Sequence, residues 1–330
     1  MDKVQFEVSA KTARLIGREN ISDVDGAIIE LIKNSYDADA TCVFVLFNMP
    51  FPTVPKTITY EMVNNVFGKN NKCILEYYED NGIKFNKRTN LTDVQEQHLH
   101  DLLYSQNSII VMDNGYGMDG QTLRFSWMNI GTNDKEEKRV SPKGRIKTGA
   151  KGIGRFALDK LSTSTVVYTK SDNDSFKKWQ INWDQFETAN LLNEVTATID
   201  DCDGSFSEYA EKVAKGTFKS YENYSWNSGT IIKLCPTREA WSEIYFSKVN
   251  RNLKSLFPST NNSQFDIYVT NVFYPRYSFA NERFVLNKSE YDYKIVGIFD
   301  GADNISIHIS RNEIDTRKLK IDREINGQKV

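Results

Sequence analysis

The chain has 330 residues, a formal net charge of −2 and 39% hydrophobic residues, so it is long enough for two domains and apolar enough to fold. The near-neutral charge does not supply the broad basic field of sequence-independent DNA binding, although a local basic patch is compatible with it. No apolar run approaches the length that spans a bilayer, and the N-terminus lacks a hydrophobic signal core. The four cysteines form no C-x-x-C pair. We therefore expect a cytoplasmic protein with reduced thiols and no membrane partner.

The first strong pattern is a predicted helix over residues 22–40, with Ser22 as its N-cap. Its buried stripe repeats at helical spacing and consists of Ala27, Ile28, Leu31, Ile32 and Ser35. The polar residues Glu30, Asn34 and Asp37 fall at i, i+4 and i+7 and therefore project from one side of the helix. A surface ion pair would place a lysine four residues after a glutamate, whereas an amide occupies that position here. The pattern indicates a functional face.

A strand over Cys42–Phe47 follows, and then a segment over residues 48–108 that we interpret as an insertion. Three prolines punctuate its start, and Leu91–Tyr104 forms a predicted helix within it. Two interpretations remain open for this segment. It is either an elaborated edge of the fold or a surface that docks a partner.

Two further stretches are punctuated by glycine. The predicted strand Ile109–Met112 runs directly into Asp113 and the turn up to Met118, and a helix capped by Asp119 follows to about residue 128. Residues 133–148 are basic and almost free of apolar side chains, which is usual for a solvated loop. Three glycines then precede a predicted helix over Arg155–Leu161.

The rest of the chain predicts strands, one long helix and a second unit. The predicted strands of the first part are 164–170, 177–183 and 230–234, with an irregular polar stretch up to about residue 214. Residues 238–257 predict an amphipathic helix whose inward side chains are Trp241, Ile244, Tyr245, Val249, Leu253 and Leu256. Strands are predicted over 265–269, 291–299 and 305–309. The C-terminal residues show no pattern that marks the end of a domain, as expected of the N-terminal part of a longer protein.

In this order, the three polar and glycine-rich stretches resemble the N, G1 and G2 boxes of the GHKL ATPases, named for DNA gyrase, the large heat-shock chaperone, histidine kinases and MutL. The matching patterns are E-x-x-x-N-x-x-D-A from Glu30 to Ala38, D-x-G-x-G-M from Asp113 to Met118, and G-x-x-G-x-G from Gly149 to Gly154. The strand from Ser228 to Leu234 resembles the family's G-T-x-I element. The resemblance covers residues of about 20 to 235.

The resemblance implies an α+β fold: a two-layer α/β sandwich with a mixed, mainly antiparallel sheet, plus a second, smaller α/β unit. It implies an ATP-binding domain over residues 1–236, with the 48–108 insertion and an ATP lid over 131–154. The basic run falls within that lid, so we expect its mobility to depend on whether a nucleotide is bound. Residues 237–330 resemble the start of a transducer-like second domain.

The resemblance also gives roles to individual residues. Glu30 would orient and deprotonate the water that attacks ATP. Asn34 would offer a neutral oxygen to Mg²⁺, which prefers oxygen ligands, and Asp37 would orient its neighbours beside Ala38. Asp113 would accept the exocyclic amino hydrogen of adenine, which predicts selection against guanine.

Further contacts to the nucleotide follow from the same motifs. Gly117 allows close backbone approach, Met118 offers an apolar surface to the ring, and Thr230 joins the adenine contact. The resemblance implies a contact from Asn129 to the sugar or the α-phosphate. The glycine-rich loop would turn its amides toward the phosphates, and its residues are Thr148, Gly149, Lys151, Gly152, Ile153 and Gly154. The P-loop pattern is absent.

The function implied is a slow Mg²⁺-dependent ATPase that binds ATP, releases ADP and dimerises with a second copy on ATP binding. The stretches 130–132 and 152–157 are most similar to chaperone-like and MORC-like ATPases. A protein client or DNA remains open as the target. One alternative is a nucleotide-gated binding module that does not hydrolyse ATP. A histidine kinase is the other, although kinases typically lack the glutamate at the Glu30 position and carry a phosphoacceptor-histidine helix upstream.

Overall fold

The computed structural model describes residues 7–19, 21, 23–68, 72–129, 140–147, 155–256, 265–280, 293–299, 305–311 and 321–325. The chain forms two compact units. The first consists of residues 1–253 and 263–281, and the second of residues 254–262 and 282–330. Our boundary between domains at residue 236 and the limits of the insertion and the lid remain predictions.

The described strands are β1 (Cys42–Asn48), β2 (Thr57–Ile58), β3 (Tyr78–Asp80), β4 (Phe85–Lys87), β5 (Ser108–Asp113), β6 (Ser164–Lys170), β7 (Lys177–Asn182), β8 (Thr198–Asp201), β9 (Gly229–Leu234), β10 (Asp266–Asn271), β11 (Phe279–Ala280), β12 (Tyr293–Phe299), β13 (Ile305–Arg311) and β14 (Ile321–Ile325). The described α-helices are α1 (Ala10–Glu19), α2 (Val24–Asp37), α3 (Tyr60–Phe67), α4 (Lys72–Leu75), α5 (Asp93–Tyr104), α6 (Phe156–Leu161), α7 (Gln185–Thr188), α8 (Phe206–Ala214) and α9 (Glu243–Leu256).

The first unit is built on an eight-stranded sheet of order β11-β10-β1-β5-β9-β6-β7-β8. Its described strand pairs are antiparallel except β1 with β10, which run parallel. Helices α1, α2 and α6 pack together as a layer, and α2 also contacts β1 and β5. The predicted α+β sandwich with a mixed, mainly antiparallel sheet is confirmed.

Helix α2 joins that layer through the stripe predicted from its sequence. The five stripe residues are at most 2% exposed, namely Ala27, Ile28, Leu31, Ile32 and Ser35. Four of them are apolar, so their burial removes hydrocarbon from water and fixes the rotation of the helix about its axis. The predicted N-cap Ser22 lies outside the described residues, and the helix begins after Asp23.

The opposite face of the sheet is covered by α8, where the sequence led us to expect irregular structure. That expectation was wrong. Ser205 and Glu208 form a capping box, and Phe206, Ala210 and Ala214 recur every four residues and are buried against the sheet. The helix is short, and the polar residues around it hid its period. A second correction is Ile244, predicted to face inward from α9 but 69% exposed, while Phe246 is buried instead.

The segment between β1 and β5 has a small sheet of its own, of order β2-β4-β3. Its helices and strands share a separate hydrophobic cluster that includes Ile58, Val63, Tyr78, Leu99 and Leu103. The second unit contains the antiparallel sheet β12-β13-β14. None of the helices in the described part of the chain has the length and hydropathy to cross a membrane.

Candidate functional site

The polar face of α2 is only partly covered. Glu30 and Asn34 are of intermediate exposure, whereas Asp37 is 3% exposed. The Glu30 carboxylate accepts a hydrogen bond from Lys33 Nζ at 2.9 Å, and about a third of each side chain is exposed. An exposed pair of this kind contributes little to stability. The carboxylate of Glu30 is therefore in contact with solvent at one turn's distance from Asn34.

Asp113, at the end of β5, lies next to α2. Ser35 Oγ donates to Asp113 Oδ2 at 2.9 Å, and the Gly115 amide donates to Oδ1 at 3.0 Å. Burial raises the pKa of Asp113 to about 6, while the hydrogen bonds from Gly115, from Ser35 and from the backbone of Thr230 act to lower it. Because these donors converge on its oxygens, the Asp113 carboxyl group is a buried hydrogen-bond acceptor.

Gly117 has a positive φ of +64°, and a Cβ at this position would lie 2.1 Å from the carbonyl oxygen of Lys170. Gly229 is equally restricted, because its Cβ would lie 2.1 Å from the Asp113 carbonyl oxygen. Only glycine fits where the turn after β5 crosses β6 and β9. We expected Gly117 to permit close backbone approach, and in the described residues the group it approaches is a neighbouring strand.

Thr230 lies directly opposite Asp113 in the pairing of β5 with β9. Thr169, on β6, lies opposite Thr230 in the next pair of strands. The Thr169 hydroxyl accepts from the Met118 amide at 2.8 Å and lies 3.3 Å from Thr230 Oγ1. These five residues, Ser35, Asp113, Met118, Thr169 and Thr230, are called the Asp113 cluster below.

Residues 140–147 of the predicted lid are described, and they lie against the C-terminal end of α2. Asp39 is 2% exposed and has φ of +58°. Its carboxylate accepts from Ser141 Oγ at 2.5 Å and from the Lys143 amide at 3.0 Å. Arg145 donates to the carbonyl oxygens of Tyr36 at 3.2 Å and Ala40 at 2.6 Å. We call Asp39, Ser141 and Arg145 the clasp.

The positive charge of Arg145 in the clasp is favourable at the C-terminal end of α2. The last carbonyl groups of a helix lack intrahelical partners and carry partial negative charge, so a guanidinium there is favourable. The Arg145 guanidinium also lies 4.7 Å from the centre of the Tyr36 ring and 5.7 Å from that of Phe265. One arginine of the basic run is thus a structural group and not a solvated one.

Arg155 precedes α6 and is the first described residue after the glycine-rich loop. Its guanidinium donates to the Ser126 carbonyl at 3.1 Å and lies 5.8 Å from the Trp127 ring centre. Burial lowers the pKa of Arg155 to about 10. The six loop residues predicted to bind phosphate lie outside the described part of the chain: Thr148, Gly149, Lys151, Gly152, Ile153 and Gly154.

The helix predicted after the Asp113 turn is present, with π-helical geometry over Thr122–Trp127. Asp119 caps its start, since its carboxylate accepts from the Thr122 amide at 2.6 Å. Asn129 follows this helix and is exposed. Ala38 lies against the turn, where its carbonyl oxygen accepts from the Tyr116 amide at 3.0 Å.

Four residues of the site escaped the sequence analysis: Ser35 as a polar contact, Thr169, Asp39 and Arg145. Ser35 carried a signal, because it is the one hydroxyl in an otherwise apolar stripe. Thr169 carried none until the pairing of β6 with β9 placed it beside Thr230. The Asp39 and Arg145 contacts join residues about a hundred positions apart, which no local pattern predicts.

The donor set can be compared with what Mg²⁺ requires. Among the described residues no group of three or more His, Cys, Asp or Glu side chains is arranged to hold a metal ion. Mg²⁺ usually keeps several waters and is bound through one or two protein oxygens plus substrate phosphates. Asn34, a residue of intermediate exposure with one amide oxygen, fits that mode of binding, in which the nucleotide supplies most of the ligands.

A protein-family model described as histidine kinase-, DNA gyrase B- and HSP90-like ATPase matches residues 21–217, more than half of the chain. The matched range contains α2, the Asp113 turn and the glycine-rich loop. No curated protein matches the chain.

Proposed function

The chain belongs to the GHKL superfamily of histidine kinase-, DNA gyrase B- and HSP90-like ATPases, and from that premise we propose that it binds ATP with Mg²⁺ and hydrolyses it slowly as a conformational switch. One observation carries the proposal. The buried carboxyl group of Asp113 is hydrogen-bonded at 2.9 Å to Ser35, a residue of the same helix that presents Glu30 and Asn34. The residue proposed to bind adenine is thus hydrogen-bonded to the helix proposed to act in hydrolysis.

Asp113 would select adenine because its carboxylate accepts hydrogen bonds from the groups around it. Its carboxylate already receives hydrogen bonds from Ser35, from Gly115 and from the backbone of Thr230, and at least one of its about four lone-pair positions remains for a ligand. The exocyclic amino group of adenine can donate to such an acceptor. Guanine carries a carbonyl oxygen at that position, so a buried acceptor would face another acceptor, at a cost of about 1–3 kcal/mol.

Hydrolysis would depend on Glu30. Its carboxylate is partly exposed, so a water molecule can reach it, and a carboxylate within hydrogen-bond distance can orient and deprotonate that water. Asn34, one turn further along α2, would offer its amide oxygen to Mg²⁺. The metal would supply positive charge that compensates the phosphate oxygens. Asp37 is buried and would support the orientation of these groups.

The remaining parts of the proposal rest on family membership. The glycine-rich loop between Thr148 and Gly154 would hold the phosphates, with Asn129 near the sugar or α-phosphate. Dimerisation on ATP binding and a chaperone-like or MORC-like relationship belong to the same proposal.

The ion pair between Lys33 and Glu30 favours the alternative function, a module that binds ATP without cleaving it. Lys33 occupies one oxygen of the carboxylate at 2.9 Å and so competes with a water molecule for it. An experiment that separates binding from turnover decides between the two functions.

The experiment compares wild type with Glu30→Gln in steady-state phosphate release and in equilibrium ATP binding. We expect Glu30→Gln to lower turnover by about 100-fold or more, since positioned general bases contribute about 10²–10⁴-fold, and to leave ATP affinity almost unchanged. Lys33→Ala is the matched control, because it removes the ion pair and keeps the carboxylate. Wild-type binding without phosphate release would favour the module, and no wild-type binding would overturn the proposal.

A further inference from the structure

We propose that Thr169 is a positioning residue of the base site, which holds the Met118 turn and the Thr230 hydroxyl in the arrangement that adenine requires. The inference rests on the proposed function, because it concerns how the same site recognises its nucleotide. None of the sequence motifs includes this residue.

The register of the sheet places Thr169 in the site. Asp113, Thr230 and Thr169 are successive partners across β5, β9 and β6. Directly paired residues on neighbouring strands project to the same face, so the three side chains form a row beneath α2. Thr169 is 0% exposed, Asp113 5% and Thr230 8%. A ligand that reaches Asp113 therefore meets Thr230 next and does not touch Thr169.

The hydrogen bonds of Thr169 are more numerous than an ordinary strand threonine needs. Its oxygen accepts the Met118 amide hydrogen at 2.8 Å. Its own hydrogen has two acceptors in reach, the Gly229 carbonyl at 3.1 Å and Thr230 Oγ1 at 3.3 Å. A hydroxyl has one hydrogen to donate, so it can satisfy only one of these acceptors at a time.

Two arrangements follow from that single hydrogen. When Thr169 donates to Gly229, the Thr230 hydroxyl can donate back to Thr169, and the pair is satisfied internally. When Thr169 donates to Thr230, the hydrogen of Thr230 is released toward the pocket. Without a ligand, the hydroxyls of Thr169 and Thr230 therefore satisfy each other. With a ligand bound, the Thr230 hydroxyl can donate a hydrogen bond to it.

Adenine requires that donor. Its exocyclic amino group donates to Asp113, and the adjacent ring nitrogen is an acceptor that needs a hydrogen, supplied directly or through water. Guanine presents the opposite polarity at both positions. The hydroxyl of Thr169 would therefore support adenine affinity through Thr230, and it would also keep Met118 in contact with the ring by holding its amide.

Thr165 provides a matched control on the same strand. It is also 0% exposed and lies four residues before Thr169, hence on the same face. Its hydroxyl accepts from Trp183 Nε1 at 2.8 Å, and Asp113, Thr230 and Met118 are not among its bonded neighbours. Replacement of either threonine by valine exchanges one buried hydroxyl for a methyl group and keeps the shape of the side chain.

The experiment measures the dissociation constants of ATP and GTP, together with the turnover rate at saturating ATP, for Thr169→Val, Thr169→Ser and Thr165→Val. We expect Thr169→Val to weaken ATP binding about tenfold, to leave GTP binding unchanged and to alter saturated turnover less than twofold. This pattern assigns the loss to base binding, because a general loss of structure would weaken both nucleotides and lower turnover. Thr169→Ser should retain the wild-type ratio of ATP to GTP affinity, and so should Thr165→Val.

An unchanged ratio in Thr169→Val, or an equal loss in Thr165→Val, would overturn the inference while leaving the proposed function intact. Wild type that binds neither nucleotide would instead overturn both. If Thr169→Val does not fold, Thr169→Cys decides the matter, because its thiol is only a weak donor. An intermediate loss of the ratio is then expected, and no loss contradicts the proposal.

Discussion

The two ends of the candidate site are built differently. The Asp113 cluster is buried except for the half-buried Met118, and its polar groups are hydrogen-bonded to one another across α2, β5, β6 and β9. On the polar face of α2, Glu30 and Asn34 are partly exposed, and Glu30 forms an ion pair with Lys33. The residues proposed to bind the base are therefore fixed by the fold, whereas Glu30 and Asn34, which are proposed to act in hydrolysis, lie on a partly exposed surface.

If the Asp113 cluster is rigid, a substitution that changes the backbone of the turn carrying Met118 should strongly destabilise the protein. Gly117→Ala would place a Cβ 2.1 Å from the Lys170 carbonyl at a positive φ. We expect it to lower the free energy of unfolding by more than about 3 kcal/mol, since a left-handed non-glycine residue alone costs about 1–2 kcal/mol. Chemical denaturation measures the change.

Gly82→Ala is the control for that substitution. Gly82 has a similar positive φ of +84° and open space where its Cβ would lie. It should cost only about 1 kcal/mol, from the backbone conformation. Equal losses in the two variants would show that the turn after β5 is not under the steric restriction described here.

The clasp, also at the C-terminal end of α2, offers a test with a smaller expected effect. Arg145→Ala removes a guanidinium from two carbonyl groups at the helix end and from the Tyr36 ring. We expect a loss of about 2 kcal/mol in the free energy of unfolding, because hydrogen bonds to charged groups contribute about 1.5–3 kcal/mol. Lys143→Ala should change stability by less than about 0.5 kcal/mol, since its side chain is exposed and only its amide binds Asp39.

If the clasp stabilises the fold, Arg145→Ala should lower the free energy of unfolding, whether or not it also changes the turnover rate. If Arg145→Ala and Lys143→Ala unfold alike, the contacts at the end of α2 add nothing, and the basic run is the solvated loop that its composition indicates.

Sequence patterns predicted the parts of the site that depend on local period and on motifs. The stripe of α2 follows from spacing alone, and burial of Ala27, Ile28 and Ile32 confirms it. Strand β5 and the turn at Asp113 were predicted in the same way. These features depend on residues within a few positions of one another, which a sequence displays directly.

Features set by tertiary pairing were missed. Thr169 lies beside Thr230 only because β6 pairs with β9, and Arg145 contacts the end of α2 only because residues 140–147 pack against it. Ile244 was assigned inward from the helical period, yet the helix buries Phe246 instead. In each case the deciding neighbour lies far away in the chain, so that local spacing carries no information about it.

The most direct test of the account is calorimetric titration of ATP and GTP into wild type and Asp113→Asn, with thermal unfolding of both proteins as the control. Asp113 accepts from Ser35 on one oxygen and from Gly115 on the other, so an asparagine amide must turn its NH₂ group against one of these donors. We expect wild type to bind ATP at least tenfold more tightly than GTP, and we expect Asp113→Asn to lose that preference together with most of its ATP affinity. Equal binding of the two nucleotides by wild type, or undiminished ATP binding by Asp113→Asn, would contradict this expectation.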